Sequence, residues 1–226
     1  MPKSVVVIAP HPDDEAIGCG GTICLHRGRG NHVYVVFLTS GELGLKELSP
    51  EEAWRVREAE AEEAGEVFDV TDLTFLRGPD WFLQDHVHRM AEALRPVLRR
   101  LGPDWLYVPH AGEWHPDHQA ALAITQAALH SIGDLHPTLL GYEVWTPLAD
   151  GEEVEDITAV MSRKLRAVRC YRSQLPQFRY DRAVRGLNLY RGALQGKCRY
   201  AEFFQAVPPV PTLMTAPAEE VAGGGS

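Results

Sequence analysis

Two unbroken apolar runs constrain the fold of this chain more than any other feature: Ser4-Val5-Val6-Val7-Ile8-Ala9 and Val33-Tyr34-Val35-Val36-Phe37-Leu38. A strand with one wet face alternates apolar and polar residues, whereas a run without polar interruption must be covered on both faces. Strands of that kind belong to parallel sheets, whose crossover helices clothe both sides.

The remaining segments supply those crossovers. Patterning predicts strands over Ser4–Pro10, His32–Thr39, Leu73–Leu76, Trp105–Pro109, Leu139–Trp145 and Arg199–Gln205. It predicts helices over Gly18–Arg29, Ser49–Val67, Asp85–Leu101, Asp117–His130, Thr158–Arg172 and Asp181–Ala193. Ser49-Pro50-Glu51-Glu52 is the clearest helix start, with a serine cap, proline in the first turn and glutamate three residues after the cap. The alternation gives an α/β protein with a mainly parallel sheet. A chain of 226 residues fits one domain. We place it at residues 1–207 and read 208–226, rich in Pro, Ala, Glu and Gly, as a flexible tail.

Charge and composition exclude several partner classes. A net charge of -9 argues against nucleic acid and anionic membranes, which need a basic face. No apolar run reaches the roughly 18 residues that span a bilayer. Met1-Pro2-Lys3 leads into a strand without a signal-peptide pattern, so a cytoplasmic location is expected. The four cysteines (Cys19, Cys24, Cys170, Cys198) form no Cys-x-x-Cys pair and are expected to be free thiols.

Two His/Asp clusters carry the chemistry. Pro10-His11-Pro12-Asp13-Asp14-Glu15 follows the first strand, and His115-Pro116-Asp117-His118 follows Trp105–Pro109. Ligands of open parallel sheets bind beyond the carboxyl ends of the strands, so both clusters, with Thr39-Ser40-Gly41-Glu42 and Gly78-Pro79-Asp80-Trp81, face one crevice. His11, Asp14 and His118 would supply two imidazoles and one carboxylate to a divalent ion, leaving a position open for water. Asp13, beside Asp14, would point elsewhere and serve as a base. Each cluster alone also has a plain reading, an acidic helix start or an Asx turn. Gly18-Cys19-Gly20-Gly21-Thr22 lacks the third glycine of a dinucleotide fingerprint and is read as allowing close approach of the helix to the ligand loop.

These motifs, in this order and separation, resemble the PIG-L/LmbE-like family of zinc-dependent de-N-acetylases. Arg55 within Trp54-Arg55-Val56-Arg57-Glu58-Ala59, Asp80, and Lys164 to Gln174 with Tyr200-Ala201-Glu202-Phe203-Phe204 extend the likeness to about residue 206. The resemblance implies a Rossmann-like three-layer sandwich that hydrolyses an N-acetyl group, with His11, Asp14 and His118 holding Zn2+ or another divalent ion such as Fe2+. It implies Asp13 as base, His115 as oxyanion stabiliser or acid, Asp117 as the residue orienting His115, and Glu42, Arg55 and Asp80 on the sugar. Tyr142-Glu143-Val144-Trp145-Thr146-Pro147-Leu148 and Tyr171-Arg172-Ser173-Gln174 look like the branch acting on N-acetylglucosaminyl malate in bacillithiol synthesis. Relatives commonly form trimers or hexamers, so a homo-oligomer is expected; Trp145, Phe203 and Phe204 suit either subunit contacts or the core. One departure stands out: mycothiol-type enzymes carry tyrosine where this chain has Glu113.

Two other classes stay open on the residues alone. One is a metal-dependent amidase of a non-sugar acyl amide; the other is a non-enzymatic nucleotide-binding module of Rossmann type.

Overall fold

The computed structural model describes residues 1–208; the predicted tail lies outside the described residues save for its first position. Among the described residues, seven strands form one sheet. Five are parallel: β1 (Ser4–Ala9), β2 (His32–Thr39), β3 (Leu73–Gly78), β4 (Trp105–Pro109) and β5 (Thr138–Tyr142). A late strand, β7 (Ala201–Ala206), runs antiparallel to β5 and to β6 (Glu153–Asp156). Their order across the sheet is β3-β2-β1-β4-β5-β7-β6. The sheet is therefore mainly parallel, as expected.

The first apolar run is buried on both faces. Val5, Val7 and Ala9 pack into the layer of α1 (Asp14–Gly28), α2 (Pro50–Phe68), α5 (Met161–Val168) and α6 (Tyr180–Arg191). Val6 and Ile8 pack into the opposite layer of α3 (Val87–Leu101) and α4 (Pro116–Ile132). Helix–sheet–helix layering is the three-layer sandwich.

Boundaries differ from expectation where side chains outside the segment decide. Helix α1 begins at Asp14, four residues before the predicted start, so Asp14 and Glu15 form its acidic first turn. Edge strand β6 was not predicted: Glu153-Val154-Glu155-Asp156 is acidic and mostly exposed, a composition that protects a sheet edge but hides a strand from apolar patterning. The capping box predicted at Ser49 and Glu52 is present. The glycines of α1 do not approach the ligand loop. A Cβ on Gly18 would lie 2.2 Å from the Tyr142 ring, so this helix is seated against β5. Across α1, the Glu202 carboxylate accepts from Gly21 N and Thr22 N at 2.7 Å and pairs with buried Lys164 at 2.6 Å. Phe203 and Phe204 are buried within the chain, which assigns them to the core. No helix among the described residues is long and apolar enough to cross a membrane.

Candidate metal and active site

The strand order reverses direction between β1 and β4, and loops leaving adjacent strands at such a point open a crevice. The β1–α1 loop carries His11 and Asp13 and the β4–α4 loop ends at His115, so the two His/Asp clusters meet there.

Three donor atoms form a small triangle. His11 Nδ1 lies 3.2 Å from Asp14 Oδ2, and His118 Nε2 lies 3.2 Å from the same oxygen and 3.4 Å from His11 Nδ1. Two bonds of about 2.0–2.2 Å meeting near the tetrahedral angle hold their donors about 3.3–3.5 Å apart. The triangle therefore has the dimensions of three ligands on one ion. Without an ion these groups lean on one another: Asp14 sits well below the usual carboxylate range because both histidines outweigh its burial. Burial opposes protonation of His11 and His118, yet the surrounding carboxylates raise both.

The outer nitrogens of these rings also face carboxylates. His11 Nε2 is 3.1 Å from Asp80 Oδ1 and 3.1 Å from Asp117 Oδ2. Asp117 is fully buried and accepts from Trp81 N at 2.7 Å and Leu83 N at 3.0 Å, tying the β3–α3 connection to His11. Glu42 Oε1 accepts from Asp80 N at 3.3 Å. Asp80 thus stands beside the His11 ring with Glu42 supporting its backbone; the resemblance implies both as groups that hold the sugar.

Asp13 caps α1 in a backbone conformation (φ 130°) that a non-glycine residue rarely adopts. Glu15 stabilises that conformation by accepting from Asp13 N at 3.1 Å, and the Tyr171 hydroxyl donates to the other Glu15 oxygen. Burial pushes the Asp13 carboxyl up to about 7 against the pull of Arg57. Burial also pushes Glu15 up to about 8, with the Tyr171 bond opposing it.

His115 departs from its expected arrangement. Its Nδ1 accepts from Asp117 N at 3.2 Å, while the Asp117 carboxylate turns to His11. Asp117 orients His115 through its backbone amide, so the hydrogen of the neutral ring sits on Nε2. Burial, with repulsion from His11 and His118, lowers His115 to about 4, so its ring is neutral near pH 7.

Arg55 projects to solvent, and the buried arginine of α2 is Arg57. Arg57 Nη2 donates to Pro12 O at 2.6 Å and lies 3.5 Å from Asp13 Oδ2, leaving Nε and Nη1 without partners. Gly41, at φ 64°, lets the guanidinium approach: a Cβ there would lie 3.0 Å from Arg57 Nε. Helical spacing could have found Arg57, because the inward face Ala53, Ala61, Ala64 and Phe68 includes position 57 and excludes 55. Around the site, Trp81 packs on His115 at 4.4 Å and Trp114 at 5.4 Å, both half-exposed, and Trp114 meets Trp145 at 6.1 Å.

Residues 6–129 match the family model described as PIG-L, GlcNAc-PI de-N-acetylase. That span is more than half the chain. The chain belongs to the PIG-L family. Among its PIG-L relatives is the diacetylchitobiose deacetylase of Thermococcus kodakarensis, 31% identical over 92% of this chain and 84% of that protein. A probable N-acetyl-alpha-D-glucosaminyl L-malate deacetylase 2 of Bacillus cereus is 28% identical over 77% of this chain and 84% of its own length. The fold is also that of the conserved protein TT1542 from Thermus thermophilus, with TM-score 0.77 and 32% identity over 92% of this chain and 96% of that one. This PIG-L chain thus spans most of the length of each.

Proposed function

We propose that the chain is a metal-dependent N-deacetylase that releases acetate from an N-acetylglucosamine-containing small molecule, N-acetylglucosaminyl malate being the favoured substrate. The observation that carries this reading is the His11–Asp14–His118 triangle with a buried, near-neutral Asp13 beside it. Nitrogen and carboxylate donors suit Zn2+ and also Fe2+, and zinc is the ion we propose. Such an ion supplies a Lewis acid for the acetamide carbonyl and lowers the pKa of water towards about 7.

The residues then divide the work. Asp13, in its ionised form, takes the proton of the attacking water and returns it to the departing amine. His115 donates its Nε2 hydrogen to the tetrahedral oxyanion. Asp117 and Asp80 hold the His11 ring, while buried Arg57 stands behind Asp13 and sets its ionisation. Arg55 and Glu42 stay in the sugar-binding proposal as outer groups. We include a cytoplasmic trimer or hexamer in the same proposal; light scattering of the purified chain measures the oligomer.

The test is free amine release from N-acetylglucosaminyl malate, diacetylchitobiose and N-acetylglucosamine, with and without a chelator. Release that the chelator abolishes supports the reading. No release from any of the three by zinc-loaded protein would overturn it, and release only from non-sugar amides would make the chain an amidase of another class.

A further inference from the structure

Glu113 is fully buried and lies just before the second His/Asp cluster. Its Oε1 accepts from three consecutive backbone amides, Val144 at 2.8 Å, Trp145 at 3.0 Å and Thr146 at 3.2 Å. Its Oε2, which also accepts from Trp145 N at 3.3 Å, stands 3.5 Å from His118 Nδ1, a buried nitrogen with no hydrogen-bond partner of its own. Nearby His110 bonds through Nε2 to Thr146 O at 2.7 Å and accepts from Gly112 N at 3.1 Å, so both its nitrogens are occupied elsewhere.

We infer that Glu113 is a positioning residue that sets the tautomer of His118 and ties that ring to the Trp145 loop. A histidine ligates through the ring nitrogen that lacks a hydrogen, and a carboxylate at the opposite nitrogen keeps the hydrogen there. His118 turns Nε2 to Asp14 and His11, so its hydrogen belongs on Nδ1, where the Glu113 carboxylate is the facing acceptor. The same carboxylate is held by the loop that presents Trp145 beside Trp114. This inference rests on the reading of His118 as a metal ligand.

Glu113→Gln separates the two duties of the carboxylate. The amide oxygen in place of Oε1 still accepts from the three loop amides, and of the loop contacts only the longer one from Trp145 N to Oε2, at 3.3 Å, is lost. The NH2 group then faces His118 Nδ1, can only donate, and favours the tautomer with hydrogen on Nε2. Zinc titration by calorimetry at pH 7.5 should show a dissociation constant about 10–100-fold weaker in Glu113→Gln than in the parent protein. Nitrogen-15 NMR of the zinc-loaded parent should place the His118 hydrogen on Nδ1, a measurement that does not depend on any variant folding. Equal zinc affinity in a folded Glu113→Gln protein, or a parent His118 with hydrogen on Nε2, would overturn the inference while leaving the proposed activity intact. Failure of the parent to bind zinc or any other divalent ion would overturn both.

Discussion

Arg57 sits at the back of Asp13, its Nη2 3.5 Å from Asp13 Oδ2, with both side chains almost wholly buried. A charged group so placed sets how readily the carboxyl ionises. Burial pushes Asp13 up and the guanidinium opposes it, with the balance near 7. Arg55, two residues away on α2, points to solvent and has no such influence.

Asp13→Asn should therefore bind zinc as the parent does and lose about 10²–10⁴-fold in kcat, the range of a missing general base. Arg57→Gln should move the acidic limb of the kcat/KM profile to higher pH, because the charge holding Asp13 down is gone. Arg55→Ala should leave that limb where it is and act only on KM, as an outer sugar contact would. A shift of the limb in Arg55→Ala but not in Arg57→Gln would reverse their assignment.

Metal binding should stabilise the fold measurably. An ion that binds only the native state adds about 2.7 kcal/mol at a free concentration 100 times its dissociation constant. Calorimetry of the chelated and zinc-loaded protein should show a higher Tm for the latter, and Asp14→Asn should abolish the difference. Equal melting of the two parent forms would show that no ion binds.

The Glu15 carboxyl gives the metal-free protein a pH dependence of a definite sign. Its folded pKa, about 8, lies above the ordinary 4.5 because of burial. A carboxyl raised in this way contributes stability that is complete below its unfolded pKa and is lost as pH climbs through about 8. Melting of metal-free protein between pH 5 and 9 should fall more steeply for the parent than for Glu15→Gln, which has no proton to lose. Parallel slopes would show that Glu15 titrates normally.

Two glycines of α1 predict opposite outcomes for one substitution. Gly18→Ala would place a methyl 2.2 Å from the ring of buried Tyr142, whose hydroxyl is anchored to Ile8 O at 2.8 Å, and should cost about 1–3 kcal/mol. Gly28→Ala meets nothing within 4 Å, and should gain about 0.5–1 kcal/mol from helix propensity. Urea denaturation of the two variants measures the contrast.

Legibility in the sequence followed burial on local, periodic positions. The runs that became β1 and β2 announced themselves because both faces are covered, and the α2 cap because it is made within four residues. Edge strand β6 was silent because its acidic residues answer to solvent rather than to a core. The inward turn of Arg57 was legible from helical spacing, while the partner it meets was not, since Pro12 lies 45 positions away.

The sequence by itself determined that two His/Asp clusters close parallel strands, because strand burial and residue type are local properties. Only the tertiary structure decided which carboxylate each imidazole faces: Asp117 and Asp80 at His11, Glu113 at His118, and the Asp117 backbone at His115. Those pairings depend on the sheet order that sets β1 against β4, and on side-chain directions that spacing along the chain does not encode.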